Sequence, residues 1–351
     1  MSDVPPDPTA DLPAATADAP DPAAIADDYR RLTAGAGLLD RSEDGKLALT
    51  GTEARSFLTG QVTADVEALQ PGHGTYAALL TPKGKVIADL RVLDVGEPDR
   101  TELLLVCERS GLQALFDHLR RHLIGFDVEL HKRTLQRSLH AVIGPRADAV
   151  LGDAAAALPR DEHASVRGTL DGVDVLLVRT DLGVDVVTEA ERGPEVLAAL
   201  VAHGAAPVAP DAVEVLRVEQ GRPRLHHELD ETVMPAEAGI VERAVSFTKG
   251  CYVGQETVAR LHWRGRPNRH LRGLALDRWV PVGTVIVEDG RELGRVTTSV
   301  DSPALGPIAL ALVRREVEPD ATVVLRPTGG EPTSGRVVAL PFSRAGGGAG
   351  A

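Results

Sequence analysis

A change of periodicity near residue 269 constrains this chain more than any other feature. Up to that point, apolar β-branched runs alternate with stretches of helical spacing; from His270 onward the runs are short and separated by Gly/Pro turns. Strands joined by tight turns must pair with one another, so a small β-barrel or sandwich is expected at the C-terminal end. Mixed lobes followed by an all-β lobe make an α+β protein. At 351 residues the chain is long enough for two or three domains, each with its own core. Aromatics are only 3% of the residues, so Leu, Val and Ala must fill those cores.

Residues 1–28 hold seven Asp, six Pro and no Lys or Arg. Such a stretch buries too little apolar surface to offset its ordering entropy, and it reads as a disordered tail. Residues 29–133 read as a first αβ lobe. Its elements are strand Lys46–Thr50, a helix opened by Thr52 and carrying Phe57 and Leu58, and strands Thr75–Leu80 and Val86–Val95 around a Pro82-Lys83-Gly84 turn. Strand Glu102–Cys107 and a helix capped by Ser110 complete it. Residues 134–208 repeat the mixture, with strands at Val173–Val178 and Val184–Val187 and a helix at Glu195–Ala202. Residues 209–268 return with a helix boxed by Asp211 and Glu214 that stops at Gly221. Residues 269–343 are the β-barrel, and 344–351 are a flexible Gly/Ala tail.

Charge and composition exclude several classes of function. The net charge of −13 argues against wrapping nucleic acid, which needs clustered Lys and Arg. The longest aliphatic runs, such as Leu103 to Cys107, fall far below the ~20 apolar residues that span a bilayer, so no membrane segment is expected. Two cysteines form neither a disulfide framework nor a zinc pattern. With no cationic-apolar leader at Met1-Ser2-Asp3, a cytoplasmic location is expected.

The densest chemical signal runs from Ser246 to Arg260. If the residues after the Lys249-Gly250 turn are helical through Leu261, Cys251 sits at a helix N-terminus beside a lysine, where its thiolate is stabilised. The alternative is a buried cysteine acting as a small hydrophobe, the reading that Leu/Val neighbours favour for Cys107. Beyond it, Arg260, Arg264, Arg266, Arg269 and Arg272 lie in a stretch without a carboxylate from Thr257 to Leu276. That stretch is either an anion-steering surface around Trp263 or a solvated loop paired with acids elsewhere. Glu219 offers a bidentate acceptor or is an ordinary helix glutamate. Asp89 lies in a Val/Ile/Leu strand, where an unpaired charge is costly, so it has a partner or ligand there or turns to water. Tyr76 is core or ligand wall. The adjacent His226-His227-Glu228 project apart, so no metal site is expected.

Lys249-Gly-Cys-Tyr-Val-Gly-Gln-Glu256 resembles the signature of the YgfZ family, folate-binding relatives of the glycine-cleavage T-protein that act in iron–sulphur protein maturation. Phe57–Val66, Leu80–Val86, Leu216-Arg-Val-Glu-Gln-Gly221 and Gly294–Ser299 resemble the same family in the expected order, over about residues 30–340. The resemblance implies a three-lobed T-protein-like cloverleaf, with two αβ lobes around a tetrahydrofolate pocket and a C-terminal β-barrel. It implies Glu219 as the grip on the pterin ring, Asp89 near the reactive end of folate, and Tyr76 as pocket wall. It makes Cys251 the functional cysteine, with Lys249, Gly250, Tyr252, Gly254, Gln255, Glu256 and Arg260 completing the motif. The implied activity is support of 4Fe–4S cluster assembly or repair in client enzymes, tRNA-modifying enzymes among them. Client enzymes and the assembly machinery are then the partners, with no stable direct nucleic-acid contact, and any cluster is held only transiently with a partner. The alternative is a tetrahydrofolate-dependent aminomethyl- or methyltransferase using Asp89.

Overall fold

The computed structural model describes residues 22–97 and 100–343. The expected tail at 344–351, and residues 1–21 of the expected tail at 1–28, lie outside the described residues. Helix α1 (Pro22–Ala34) takes up the rest of that stretch. Ile25, Tyr29 and Leu32 recur at helical spacing and are buried, so the folded body starts before residue 29.

From there the chain runs through β1 (Gly37–Asp40), β2 (Gly45–Thr50), α2 (Ala54–Gln61), β3 (Gly74–Leu80) and β4 (Val86–Asp94). Strand β5 (Glu102–Cys107), α3 (Leu112–His122) and β6 (Glu129–Lys132) follow. Strands β2 to β6 form one sheet in the order β3-β4-β5-β2-β6. Phe57 and Leu58 of α2 and Leu115 and Leu119 of α3 pack with Leu49, Leu90 and Leu105 of that sheet. Two expected caps are absent. Thr52 precedes α2 and donates its hydroxyl to Asp127 at 2.5 Å, and Ser110 lies in a single 3-10 turn (Arg109–Gly111) ahead of α3.

The second lobe comprises β7 (Arg137–Ile143), α4 (Ala147–Leu151), β8 (Ser165–Leu170), β9 (Val173–Arg179), β10 (Gly183–Glu189), α5 (Gly193–Ala202) and β11 (Ala206–Pro207). Its sheet order is β11-β1-β7-β10-β9-β8. Strand β1, expected in the first lobe, therefore belongs to the second: Leu38 pairs with Val142.

Helices α6 (Pro210–Glu219), α7 (Val241–Ala244) and α8 (Gln255–Arg264) lead to β12 (Arg269–Leu276), β13 (Val285–Glu288), β14 (Arg291–Ser302), β15 (Gly306–Arg314), β16 (Thr322–Arg326) and β17 (Thr333–Val338). These last six strands close into a barrel in the order β12-β15-β14-β13-β16-β17. Closure leaves no edge exposed for pairing with another chain. The expected Asp211–Glu214 capping box does not form. Glu214 pairs with Arg217, and the N–H of Ala209 at the start of α6 donates to Asp28 of α1 at 2.8 Å. A central apolar cluster including Tyr29, Val215, Val218, Leu271 and Leu310 joins α1, α6 and the barrel. The fold is thus α+β, with two sheet-rich lobes and a closed six-stranded barrel.

Candidate functional site

The two sheets and the return segment enclose a cavity of about 270 Å³. The first lobe contributes Tyr76, Asp89, Arg91 and Glu108. The second contributes Arg41, Glu162, His163, Asp181 and Asp185, and the segment around α6 and α7 adds Arg222 and Arg243. Strand alternation explains the first set. Tyr76 of β3 pairs with Arg91 of β4, and Arg91 with Val106 of β5, so these residues form one row across the sheet. Asp89, two positions along β4, shares that face, and Glu108 follows directly after the end of β5.

Five carboxylates line the cavity, and four of them face a guanidinium. Asp185 pairs with Arg91, Glu162 with Arg243, Asp181 with Arg222 at 2.9 Å, and Glu108 with Arg224 at 2.9 Å. Asp89 has no cationic partner among the described residues. Its Oδ2 accepts the Tyr76 hydroxyl at 2.8 Å, while its Oδ1 is buried with no hydrogen bond. Burial pushes the Asp89 carboxyl up, and the Tyr76 hydrogen bond only partly offsets this. The same pair, in the same burial, lifts the Tyr76 hydroxyl well above its ordinary value. Arg243 stands 5.2 Å from the Tyr76 ring centre. Burial, with Arg91 and Arg243 adding to it, lowers His163 to about 4, so its ring is neutral at pH 7. The site therefore combines neutralised acid–base pairs with one acid, Asp89, that has no cationic partner among the described residues. Such an acid can hold a proton or accept donors from a ligand.

Tyr76 and Asp89 are thus brought together as the sequence implies, but Glu219 and Cys251 are not among the lining residues. Glu219 is only 4% exposed. Its carboxylate accepts the Tyr29 hydroxyl at 2.8 and 3.0 Å and the Ser302 hydroxyl at 2.6 Å, tying α6 to α1 and the barrel. Cys107 does line the cavity, and burial lifts its thiol to about 12. Sequence reasoning missed Arg91, Glu108 and Asp185; period-two alternation with Tyr76 and Asp89 was the available signal for the first.

The motif cysteine is exposed, but helix α8 opens only at Gln255, with Gly254 as N-cap. Cys251 therefore lies before the first helical turn, outside the short reach of the dipole, which corrects the helix-N-terminus expectation. What holds the loop is different. The Lys249 ammonium donates to the carbonyls of Thr59 and Val62 (2.6 Å to the latter) and lies 4.4 Å from the Tyr252 ring centre. Gly254 adopts φ +85°, and a Cβ there would stand 2.6 Å from the Thr81 carbonyl oxygen, so only glycine fits. Gly250, Glu256 and Arg260 are exposed, Gln255 begins α8, and Tyr252 is buried.

Burial lowers Lys249 to about 8, Asp65 opposing the shift. Its folded pKa lies below the unfolded value of 10.5, so the unfolded state binds more protons between the two and this residue adds stability as pH rises from 8 to 10.5. Relative to Lys249→Met, the wild-type protein should therefore gain stability across that window. Urea melts of both proteins at pH 7 and pH 10 check the sign.

The basic stretch divides. Arg269 pairs with buried Glu237 at 3.2 Å, whereas Arg260, Arg264 and Arg266 are exposed and have no ion pair among the described residues. Trp263 is 70% exposed, edge-on to a stacked Phe247–His262 pair. Among the described residues no three His, Cys, Asp or Glu side chains gather as a metal site.

Two mixed lobes clasping a polar cavity, with a barrel closing the third side, define a small and recognisable class of α+β proteins. Residues 15–249 match the GCVT N-terminal domain and residues 269–343 the glycine cleavage T-protein C-terminal barrel domain; the chain belongs to the glycine cleavage T-protein family. It is 31% identical to an aminomethyltransferase of Rubrobacter xylanophilus, over 92% of this chain and 87% of that one. It is also 31% identical to an aminomethyltransferase of Streptomyces coelicolor, over 88% and 86%. The crystal structure of the glycine cleavage system aminomethyltransferase T of Bartonella henselae superposes with a TM-score of 0.81 at 23% identity, covering 91% of this chain and 89% of that one, a likeness of fold.

Proposed function

We propose that the protein binds a reduced folate in the inter-lobe cavity and supports assembly or repair of 4Fe–4S clusters in client enzymes, tRNA-modifying enzymes included, through Cys251. The observation that carries this reading is the motif loop. Lys249 and Gly254 fix its path against α2 and the β3–β4 turn, yet the cysteine it presents is exposed and takes no part in the core. An anchored loop that displays a thiol is suited to meet a partner's sulphur, iron or cysteine. One cysteine supplies one ligand of the four a cluster usually needs, so the remaining ligands come from the partner.

The cavity fits the folate part of the reading. Buried Asp89 Oδ1 lacks a donor, and a reduced pterin carries several N–H groups. Arg222 and Arg243 would face the anionic tail of the ligand, and Tyr76 would position Asp89. A bound reduced folate supplies a carrier for one-carbon units. Names of the relatives, together with Asp89, favour a second reading, aminomethyl or methyl transfer.

Cys251→Ala decides between them. It should leave folding and tetrahydrofolate binding unchanged while client 4Fe–4S enzyme activity falls to the level of cells lacking the protein; unchanged client activity rejects the thiol role. The transferase reading predicts instead that purified protein with tetrahydrofolate and an S-aminomethyl donor forms methylene-tetrahydrofolate, releasing ammonia and the free thiol, and that Asp89→Asn abolishes this.

A further inference from the structure

We propose that the C-terminal half of α8 is a docking surface for an acidic segment of a client protein, which it holds beside the Cys251 thiol. This rests on the client reading of Cys251 and names the partner chemistry that the same loop meets.

Three guanidiniums and one indole make the surface. Arg260 and Arg264 stand one helical turn apart on the same side of α8, and Arg266 lies just past its end. All three are exposed and unpaired among the described residues, although the chain carries a net charge of −13. Trp263, 70% exposed, is the most exposed aromatic side chain among the described residues. An indole set among open guanidiniums has the composition of an interface hot spot. The surface is also tied to the thiol. Phe247 stacks on His262 with ring centres 3.9 Å apart and meets Trp263 edge-on at 6.1 Å. Cys251 follows Phe247 by four residues, so their Cα atoms stand at most about 14 Å apart. Between them, Lys249 pins the loop to the end of α2. A bound segment of a few residues therefore reaches from the arginines to the exposed sulphur.

Charge selects the partner. A guanidinium binds a carboxylate through two parallel N–H···O bonds, and three open guanidiniums match a short run of Asp or Glu side chains. No carboxylate occurs from Thr257 to Leu276, so a docking acid meets no like charge from that stretch. Nucleic acid fits less well. Neutralising phosphates takes a broad field of Lys and Arg, whereas this surface has no lysine and is bordered by exposed Glu256, one turn before Arg260. The rest of the basic stretch does not extend it: Arg269 is held by Glu237, and the Nε of Arg272 is buried. An acidic segment needs only the three arginines, with Trp263 to cover, and can present its own cysteine to Cys251.

Thiol exchange on the purified full-length protein tests the surface without any client. Two short peptides each carry one cysteine, activated as the mixed disulfide with 5-thio-2-nitrobenzoate, and differ only in having glutamates or glutamines around it. The Cys251 thiolate attacks the peptide sulphur, a Cys251–peptide disulfide forms, and 5-thio-2-nitrobenzoate leaves with the electron pair as a coloured thiolate. At low salt the glutamate peptide should react about tenfold faster, and the ratio should fall toward unity at high salt. The net charge of −13 by itself favours the glutamine peptide, so this preference reports the local surface. Arg260→Gln, Arg264→Gln and Arg266→Gln combined should abolish it, and Trp263→Ala should slow the glutamate peptide several-fold with its salt dependence retained. Cys251→Ser gives the background from buried Cys107. Equal rates for the two peptides, or a preference that survives loss of the arginines, overturns the proposal. So does tRNA competing better than a cysteine-free glutamate peptide at equal charge, which assigns the surface to nucleic acid. An arginine-dependent rise in rate when Asp3, Asp7, Asp11, Asp18 and Asp21 are changed to Asn assigns it to the chain's own N-terminal segment. A preference that fades as protein concentration rises assigns it to a second copy, and either result overturns the client segment. If Cys251→Ala leaves client 4Fe–4S activity unchanged, the cluster role falls, while the peptide ratio still decides the surface.

Discussion

Asp89→Asn should make the protein more stable and less functional at once. The Asp89 carboxyl is buried in the cavity, its Oδ2 satisfied by Tyr76 and its Oδ1 without a hydrogen bond among the described residues. Burial raises its pKa above 3.8, so between 3.8 and the raised value the folded state holds more protons than the unfolded one. Stability from this group therefore falls as pH rises through that window, and above it burying this acid is a net cost. Asparagine keeps an acceptor for the Tyr76 hydroxyl and removes the charge, so the variant should gain about 1–2 kcal/mol at pH 7. The gain should shrink as pH falls toward the ordinary Asp value, where wild type and variant are both neutral. Function moves the other way. Loss of the open acceptor should weaken tetrahydrofolate binding at least about tenfold, and any one-carbon transfer using Asp89 as acid or base should fall by about 10²–10⁴. Denaturant melts at pH 5 and pH 7, with calorimetry and turnover, test both signs. A variant that loses stability would place Asp89 among the structural acids, and one that keeps full binding would remove it from the site.

The parts of this protein legible in its sequence are those set by local periodicity. Alternation marked β2, apolar β-branched runs on either side of the Pro82-Lys83-Gly84 turn marked the hairpin of β3 and β4, and short turn-bounded strands announced the barrel. What escaped depends on distant partners. Strand β1 has four residues and joins the second lobe only because β7, about a hundred residues later, pairs with it. The α6 cap comes from Asp28 on another helix, so no local spacing signals it. Glu219 has the sequence context of a ligand residue, yet Tyr29 and Ser302, remote in sequence, enclose it. Helix α8 starts later than expected: the chain first passes the β3–β4 turn, with Gly254 in a left-handed conformation so close to Thr81 that no Cβ fits there. That displacement moves the explanation for Cys251 from a helix dipole to a loop anchored by Lys249.

Glu228→Ala should be the most destabilising single change in the molecule. Glu228 is fully buried and accepts four hydrogen bonds: from Arg217 at 2.9 Å, the Arg224 backbone N–H at 3.0 Å, Thr297 at 2.8 Å and Thr298 at 2.6 Å. Burial works against the charge on Arg217, but Glu214 and Glu228 outweigh it and its pKa is raised. Without Glu228, Arg217 keeps only one carboxylate in a buried position, and the two barrel threonines lose their shared acceptor. Breaking a buried pair from one side costs about 3–5 kcal/mol. The loss should also reach the cavity, because Arg222, which lines it, and Arg224, which holds Glu108, belong to the segment that Glu228 pins to the barrel. Glu228→Gln retains the shape and some acceptor capacity, so it should fall between wild type and Glu228→Ala. A double change, Glu228→Leu with Arg217→Met, removes both charges and should recover part of the stability lost in Glu228→Ala without restoring the Arg224 contact. If urea unfolding shows the double variant weaker than the single one, packing around Thr297 and Thr298, rather than an orphaned guanidinium, is what Glu228 protects.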